Sequence, residues 1–270
     1  MNKTDTLVII GDSWGCGAYT DFNGFKRDNT PAKGLLPDQY FTAKFRQYYK
    51  TVENHSQGGR SNSTNVERLI NFIQDKLRAK EDLSKYKILI LQTDPLRDIP
   101  SATLFYRINQ STQSDMYYVW DFFKNNDHYD LLSILRFNIE FFYHSLSIVA
   151  QKYRLTINLV GGLGAVQPCV TKYKNINVLV NSWLQLIDPE YNPSNIITSI
   201  IDIQPGTNPV IKEMYEGMQQ IFKIQKKWCA IASIDGATKD IPNYLGYCND
   251  LHPHHKGIDL LIDTIHDKIM

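Results

Sequence analysis

The sequence predicts a three-layer α/β domain built on a mainly parallel sheet. Apolar, β-rich runs of strand length alternate with segments of helical period, and the runs are nearly continuous rather than alternating apolar and polar. Continuous runs are the form of parallel strands covered on both faces, and the alternation of strand and helix argues for crossover connections. With 270 residues, 43% hydrophobic and 21% charged, the chain has enough apolar content for one large domain, which excludes disordered and collagen-like classes.

Each element follows from its own pattern. Thr6–Ile10 (TLVII) and Lys87–Leu91 (KILIL) read as buried strands, as does Leu155–Val160 (LTINLV), with Tyr49–Val52 a weaker candidate. Val66, Leu69, Ile70, Ile73 and Leu77 form one helical stripe, with Asn62 or Ser63 as N-cap. A longer helix over Asp130 to Lys152 directs Leu131, Leu135, Ile139, Phe142, Leu146 and Val149 inward. The last helix repeats the pattern at Ile258, Leu261, Ile262, Ile265 and Ile269. The stretch at about 94–130 has no clear period and reads as an insertion or lid over one sheet edge, its Tyr106–Trp120 aromatics packing the insertion. Asp188 to Pro209, rich in Pro, Asn and Ser, reads as loop with a short strand at Ile196–Ile203. No internal repeat or linker divides residues 1–270, so one domain is expected.

Charge and cysteine usage exclude several partners. Lys+Arg 29 against Asp+Glu 28 gives a net charge of +1, which supplies no overall basic field for nucleic acid. No run approaches the ~20 apolar residues of a bilayer span, so no membrane span is expected. The apolar run Leu7 to Ile10 is shorter than a secretory h-region, and a protein that is cytoplasmic or otherwise not Sec-secreted is expected. Cys16, Cys169, Cys229 and Cys248 form no C-x-x-C pair and read as free thiols of a reducing compartment. The Lys-, Asn- and Ile-rich style fits an AT-rich microbial or viral genome.

In parallel α/β sheets function gathers in loops at the carboxyl ends of strands. The first such loop is Gly11-Asp12-Ser13-Trp14-Gly15-Cys16-Gly17. Its glycines permit a tight backbone and leave N–H groups to face an anion, although Gly-Asp-Ser alone is equally an ordinary turn. A phosphate-cradling loop is the rival use, but neither G-x-G-x-x-G spacing nor a P-loop lysine is present. The other loops run Asn54 to Asn62, Gln92 to Asp98, and Asn249 to Gly257. A serine after the first strand and a histidine before the last helix would supply an alcohol and a base at one sheet end. That is what nucleophilic ester hydrolysis needs.

The motifs together resemble the SGNH (GDSL-type) hydrolases. Gly11-Asp12-Ser13 matches the family's serine motif, Asn54 and Gly59 its glycine block, and His252-Pro253 its C-terminal block. The resemblance implies a three-layer α/β/α sandwich with a flavodoxin-like sheet, and hydrolysis of ester or related acyl bonds without a cofactor. It implies Ser13 as nucleophile, His252 as base, and an oxyanion hole made by the Ser13 and Gly59 amides with an Asn side chain.

Two positions depart from the family pattern. Where the family places that Asn after the third strand, this chain has Asp94. An ionised carboxylate accepts hydrogen bonds and repels an oxyanion, whereas a protonated one can donate. The triad acid's usual place, three residues before the histidine, is Asn249, so either Asp250 reaches His252 or the orienting group is missing; Asp250 is assigned. His252, His254 and His255 beside Asp250 also invite a metal, but read as a helix-start cluster, and no metal is expected. Arg60 and Arg97 would either bind an anionic substrate group or pair with Asp12, Asp94 or Asp98. With Trp14 they are the candidate substrate contacts. The expected function is a serine esterase acting on a small-molecule or carbohydrate ester, O-acetyl groups included, through an acyl-enzyme. The other reading, raised by Asp94 and Asn249, is a protein of the same fold used for binding or assembly after losing efficient catalysis.

Overall fold

The computed structural model describes residues 5–12, 14–16, 37–57, 60–93, 98, 131–162, 165–187, 189 and 255–270. Five strands form one parallel sheet: β1 (Thr6–Ile10), β2 (Thr51–Asn54), β3 (Tyr86–Gln92), β4 (Ile157–Gly161) and β5 (Ile176–Val180). Their order is β2-β1-β3-β4-β5, the flavodoxin-like winding. The helices are α1 (Pro37–Phe45), α2 (Asn62–Arg78), α3 (Leu131–Tyr153), α4 (Trp183–Ile187) and α5 (His255–Ile265).

Strand parity explains the continuous apolar runs. Val8, Ile10, Ile88, Ile90, Ile157 and Leu159 join one buried cluster with Leu69, Phe72 and Ile73 of α2 and Ile139, Phe142 and Leu146 of α3. Leu7, Ile9, Leu89, Leu91, Val160 and Val180 join another with Phe41 and Phe45 of α1, Trp183 of α4, and Ile258, Leu261, Ile262 and Ile265 of α5. Successive residues of a strand point to opposite faces, so a strand covered on both must be apolar at every position. Each Val, Leu, Ile or Phe so buried contributes about 1.5–3 kcal/mol of transfer free energy.

The strand at Thr6–Ile10, the strand after α2, and the helices before β4 and at the C-terminal end of the chain form where the pattern predicts. Several details differ. The weaker strand lies at Thr51–Asn54 rather than Tyr49–Val52, because Tyr49 is buried against Phe45 instead of continuing the ladder. The α2 N-cap is Ser61, one residue before the expected Asn62 and two before Ser63. Its side chain accepts from the Thr64 amide, and the Thr64 hydroxyl accepts from the Ser61 amide at 2.9 Å, a reciprocal capping box. Leu77 is 44% exposed, so the buried stripe of α2 ends at Ile73, and Phe72 takes its place in the core. The Asp188–Pro209 loop with its Ile196–Ile203 strand, and the 94–130 insertion, lie outside the described residues apart from 98 and 189. Neither Cys16 nor Cys169 forms a disulfide among the described residues. Among the described residues no helix is long and apolar enough to cross a membrane.

Candidate active site

In this strand order the winding reverses between β1 and β3, and their carboxyl ends flank the resulting crevice. The loop after β1 is fixed there by Asp12, a carboxylate only 5% exposed. Its Oδ1 accepts the Trp14 amide at 2.9 Å, and its carbonyl accepts the Cys16 amide at 3.0 Å, folding the residues on either side of position 13 into a tight turn. Its Oδ2 accepts the Thr93 hydroxyl at 2.6 Å, which ties this turn to the residue that follows β3.

Thr93 is itself clamped. Its amide donates to Asn62 Oδ1 at 2.9 Å, and Asn62 Nδ2 donates back to the Thr93 carbonyl at 3.0 Å. Asn62 is fully buried in the first turn of α2, so a side chain at a helix start serves as a surrogate strand for the end of β3. Asp98 completes this corner by capping α2. Its Oδ1 accepts the Ser63 amide at 2.9 Å and the Ser63 hydroxyl at 2.6 Å, which satisfies donors the helix leaves free and places a carboxylate at its positive end.

The loop after β2 closes on the same turn. The His55 amide donates to the Ile9 carbonyl at 2.8 Å and the Gln57 amide to the Gly11 carbonyl at 3.0 Å, so the β1–β2 pairing runs past the strand ends. Asn54 Nδ2 donates to the Gly15 carbonyl at 2.9 Å, while Asn54 Oδ1 accepts the Ser56 amide at 3.0 Å. The approach demands glycine at position 15, where a Cβ would stand 2.4 Å from Ser56 Oγ and 2.9 Å from Ser56 Cβ. That Ser56 hydroxyl is buried and has no hydrogen-bond partner among the described residues. On the far side of β3, Gln92 Oε1 accepts the Tyr143 hydroxyl at 2.7 Å, and burial pushes the pKa of that phenol far up.

A second set of contacts joins the β1 loop to the last helix. The Trp14 ring meets Trp183 edge-on, with centroids 5.3 Å apart and planes at 82°. Trp183, just after β5, donates its indole N–H to the Gly257 carbonyl at 2.9 Å, in the first turn of α5. Trp14, 5% exposed, thus lies in the buried packing between the β1 loop and α5. Arg60 is half-buried and donates from Nε and a terminal nitrogen to Gln57 Oε1 at 3.0 and 2.8 Å. Ser13, Gly59, Asp94, Arg97, Asp250 and His252 lie outside the described residues, as do Asn249 and His254. Sequence reasoning missed Asn62, Thr93 and Trp183. The signal for the first two was a polar residue placed next to a strand end and a helix start; Trp183 carried none beyond its size. No family model matches the sequence, and no curated protein matches it.

Proposed function

We propose that the chain is an SGNH-type serine esterase that works through an acyl-enzyme on Ser13. The observation that carries this reading is the Trp14–Trp183–Gly257 chain of contacts. Trp14 is the residue after Ser13, and Gly257 stands five residues after His252, so Trp183 bridges sequence neighbours of both reacting groups. The rigid Asp12 turn beside Ser13 adds to it, since a nucleophile needs a fixed backbone to aim its hydroxyl and amide.

In this reading the Ser13 hydroxyl attacks the acyl carbon while His252 takes its proton. The tetrahedral oxyanion rests on the Ser13 and Gly59 amides, with Asp94 at the third position. His252 then returns the proton to the departing alcohol. Water, deprotonated by the same imidazole, releases the acid and restores Ser13. Asp250 orients the imidazole, and no cofactor is needed. The substrate is a small acyl ester, O-acetyl carbohydrate included.

The test is covalent labelling by an organophosphonate together with hydrolysis of a chromogenic acetyl ester. Labelling at Ser13, its loss in Ser13→Ala, and a rate that falls on acidification through the ~6.5 of an ordinary imidazole are expected. An unlabelled Ser13 in folded protein overturns the esterase and leaves a protein of this fold that serves binding or assembly.

A further inference from the structure

A cleft of about 510 Å³ opens between the carboxyl end of β2 and one face of α2, lined among others by His55, Gln57, Arg68 and Phe72. Its volume falls in the range of small-molecule sites. Two guanidinium groups converge on Gln57, of which Arg68 lines the cleft and Arg60 reaches Gln57 from beyond the lining. Arg68 donates to the His55 carbonyl and to Gln57 Oε1, and Arg60 donates to the same Oε1 through two of its nitrogens. A neutral carboxamide oxygen therefore holds two cations, an arrangement in which like charges face each other and the acceptor carries no charge to offset them. Among the described residues neither arginine pairs with a carboxylate.

The acids that line the cleft are already matched. Glu53 takes Lys76 at 3.0 Å and stands 3.5 Å from His55 Nε2, and Asp75 pairs with Arg78 at 2.9 Å. The excess charge is thus positive and concentrated at the Arg60–Arg68 end. Burial, then the neighbouring Arg60, lowers the pKa of Arg68, against an opposing pull from Cys16 and Glu67. Beside the pair, the largely buried Phe72 ring packs against the His55 ring at 5.4 Å, lies under Lys76 and brings an apolar edge to the cleft.

We propose that this cleft binds a small organic oxyanion, a carboxylate or a phosphate monoester, whose charged group takes the place of the Gln57 carboxamide between Arg60 and Arg68 and whose body lies along Phe72. Guanidinium forks match both oxyanions in planar, two-point geometry. Anion binding here does not depend on the esterase reading, although Arg60 is also one of its candidate substrate contacts and follows Gly59 in the sequence.

Isothermal titration of the full chain at low ionic strength tests the proposal with three probes: phenyl phosphate, benzoate and inorganic phosphate. Saturable binding of at least one aromatic anion is expected, tighter than that of inorganic phosphate because the ring gains the Phe72 edge. The comparison of phenyl phosphate with benzoate shows which oxyanion the pair prefers. Arg68→Gln should weaken binding about tenfold or more, the worth of one charge-assisted contact. Gln57→Glu should place a carboxylate between the two arginines, raise the melting temperature and abolish binding. Absence of saturable binding by both aromatic anions, binding undiminished in Arg68→Gln, or a Gln57→Glu protein that still binds overturns the proposal. The Gln57 variant keeps the test decisive even if loss of Arg68 impairs folding.

Discussion

Thr93 and Asp12 meet through a buried 2.6 Å hydrogen bond that joins the loop after β3 to the loop after β1 across the reversal of the sheet. The Asn62 side chain holds the Thr93 backbone from behind, so the carboxylate is aimed by a rigid partner. Thr93→Val keeps the shape and removes the hydroxyl. A hydrogen bond to a charged group contributes about 1.5–3 kcal/mol, and a loss of that size is expected in denaturant unfolding. Thr93→Ser, which keeps the donor, should recover most of it. Equal stability of the Val variant and the parent would show that the bond contributes nothing.

Gly15→Ala should damage the same corner from the other side. The new Cβ would stand 2.4 Å from Ser56 Oγ, 2.9 Å from Ser56 Cβ and 3.1 Å from a Leu91 methyl, so the loops after β1 and β2 must part. Overpacking of this kind costs about 1–3 kcal/mol. Ser56→Gly in the same chain removes both serine clashes and should restore part of the melting temperature. A Gly15→Ala protein as stable as the parent would mean that the loops yield freely.

The legible part of the fold was the part whose burial is symmetrical. β1, β3 and β4 read as strands because both faces are covered, and α3 because Ile139, Phe142, Leu146 and Val149 recur at helical spacing. β5 escaped notice for the opposite reason. It is an edge strand with Val178 37% exposed, and among the described residues of its link to β4 the short 3-10 turn Pro168–Lys172 stands where a crossover helix would announce it. α1 buries Phe41 and Phe45 within a mostly polar nonapeptide, too few apolar positions to define a period. Asn158 shows the limit from inside a strand. Fully buried in β4, it donates to the Ile88 and Met270 carbonyls and accepts from the Met270 amide and Asn177, long-range partners no local pattern reveals. In the site, the Gly-Asp-Ser loop was legible as a motif. The Asp12–Thr93–Asn62 clamp was not, because it joins residues 81 and 31 positions apart.

Tyr49 makes part of the stability depend on alkaline pH. Its buried hydroxyl donates to the His266 carbonyl at 3.0 Å, and burial, then Asp5 and Asp267, push its pKa from 10.0 up to about 12. The folded state therefore holds the phenolic proton more tightly than the unfolded one. The associated stability is complete below the ordinary value and is lost as pH rises through the folded value, in the window from 10.0 to about 12. Tyr49→Phe should cost about 1 kcal/mol near neutrality and remove this alkaline loss. Unfolding free energies measured across that window check it; parallel pH profiles for the two proteins would contradict it.

Trp183→Phe tests whether the contact chain between the β1 loop and α5 serves catalysis. The residue is fully buried, stacks near Phe41 at 6.0 Å and holds the Gly257 carbonyl, so the substitution keeps an aromatic body and loses the indole donor. Stability should fall by about 1–3 kcal/mol, the cost of a buried acceptor left without its partner. If Ser13 and His252 act together, the start of α5 and the Trp14 turn must keep their spacing. Misplacement on the order of 1 Å can cost about 100-fold in rate. Phe142→Leu, in the cluster on the other strand parity, provides a variant of comparable instability without that link. Hydrolysis of the chromogenic ester, measured where both variants are folded, should fall at least about tenfold more in Trp183→Phe than in Phe142→Leu. Equal losses in the two would reduce Trp183 to a packing residue and remove the main structural support for pairing Ser13 with His252.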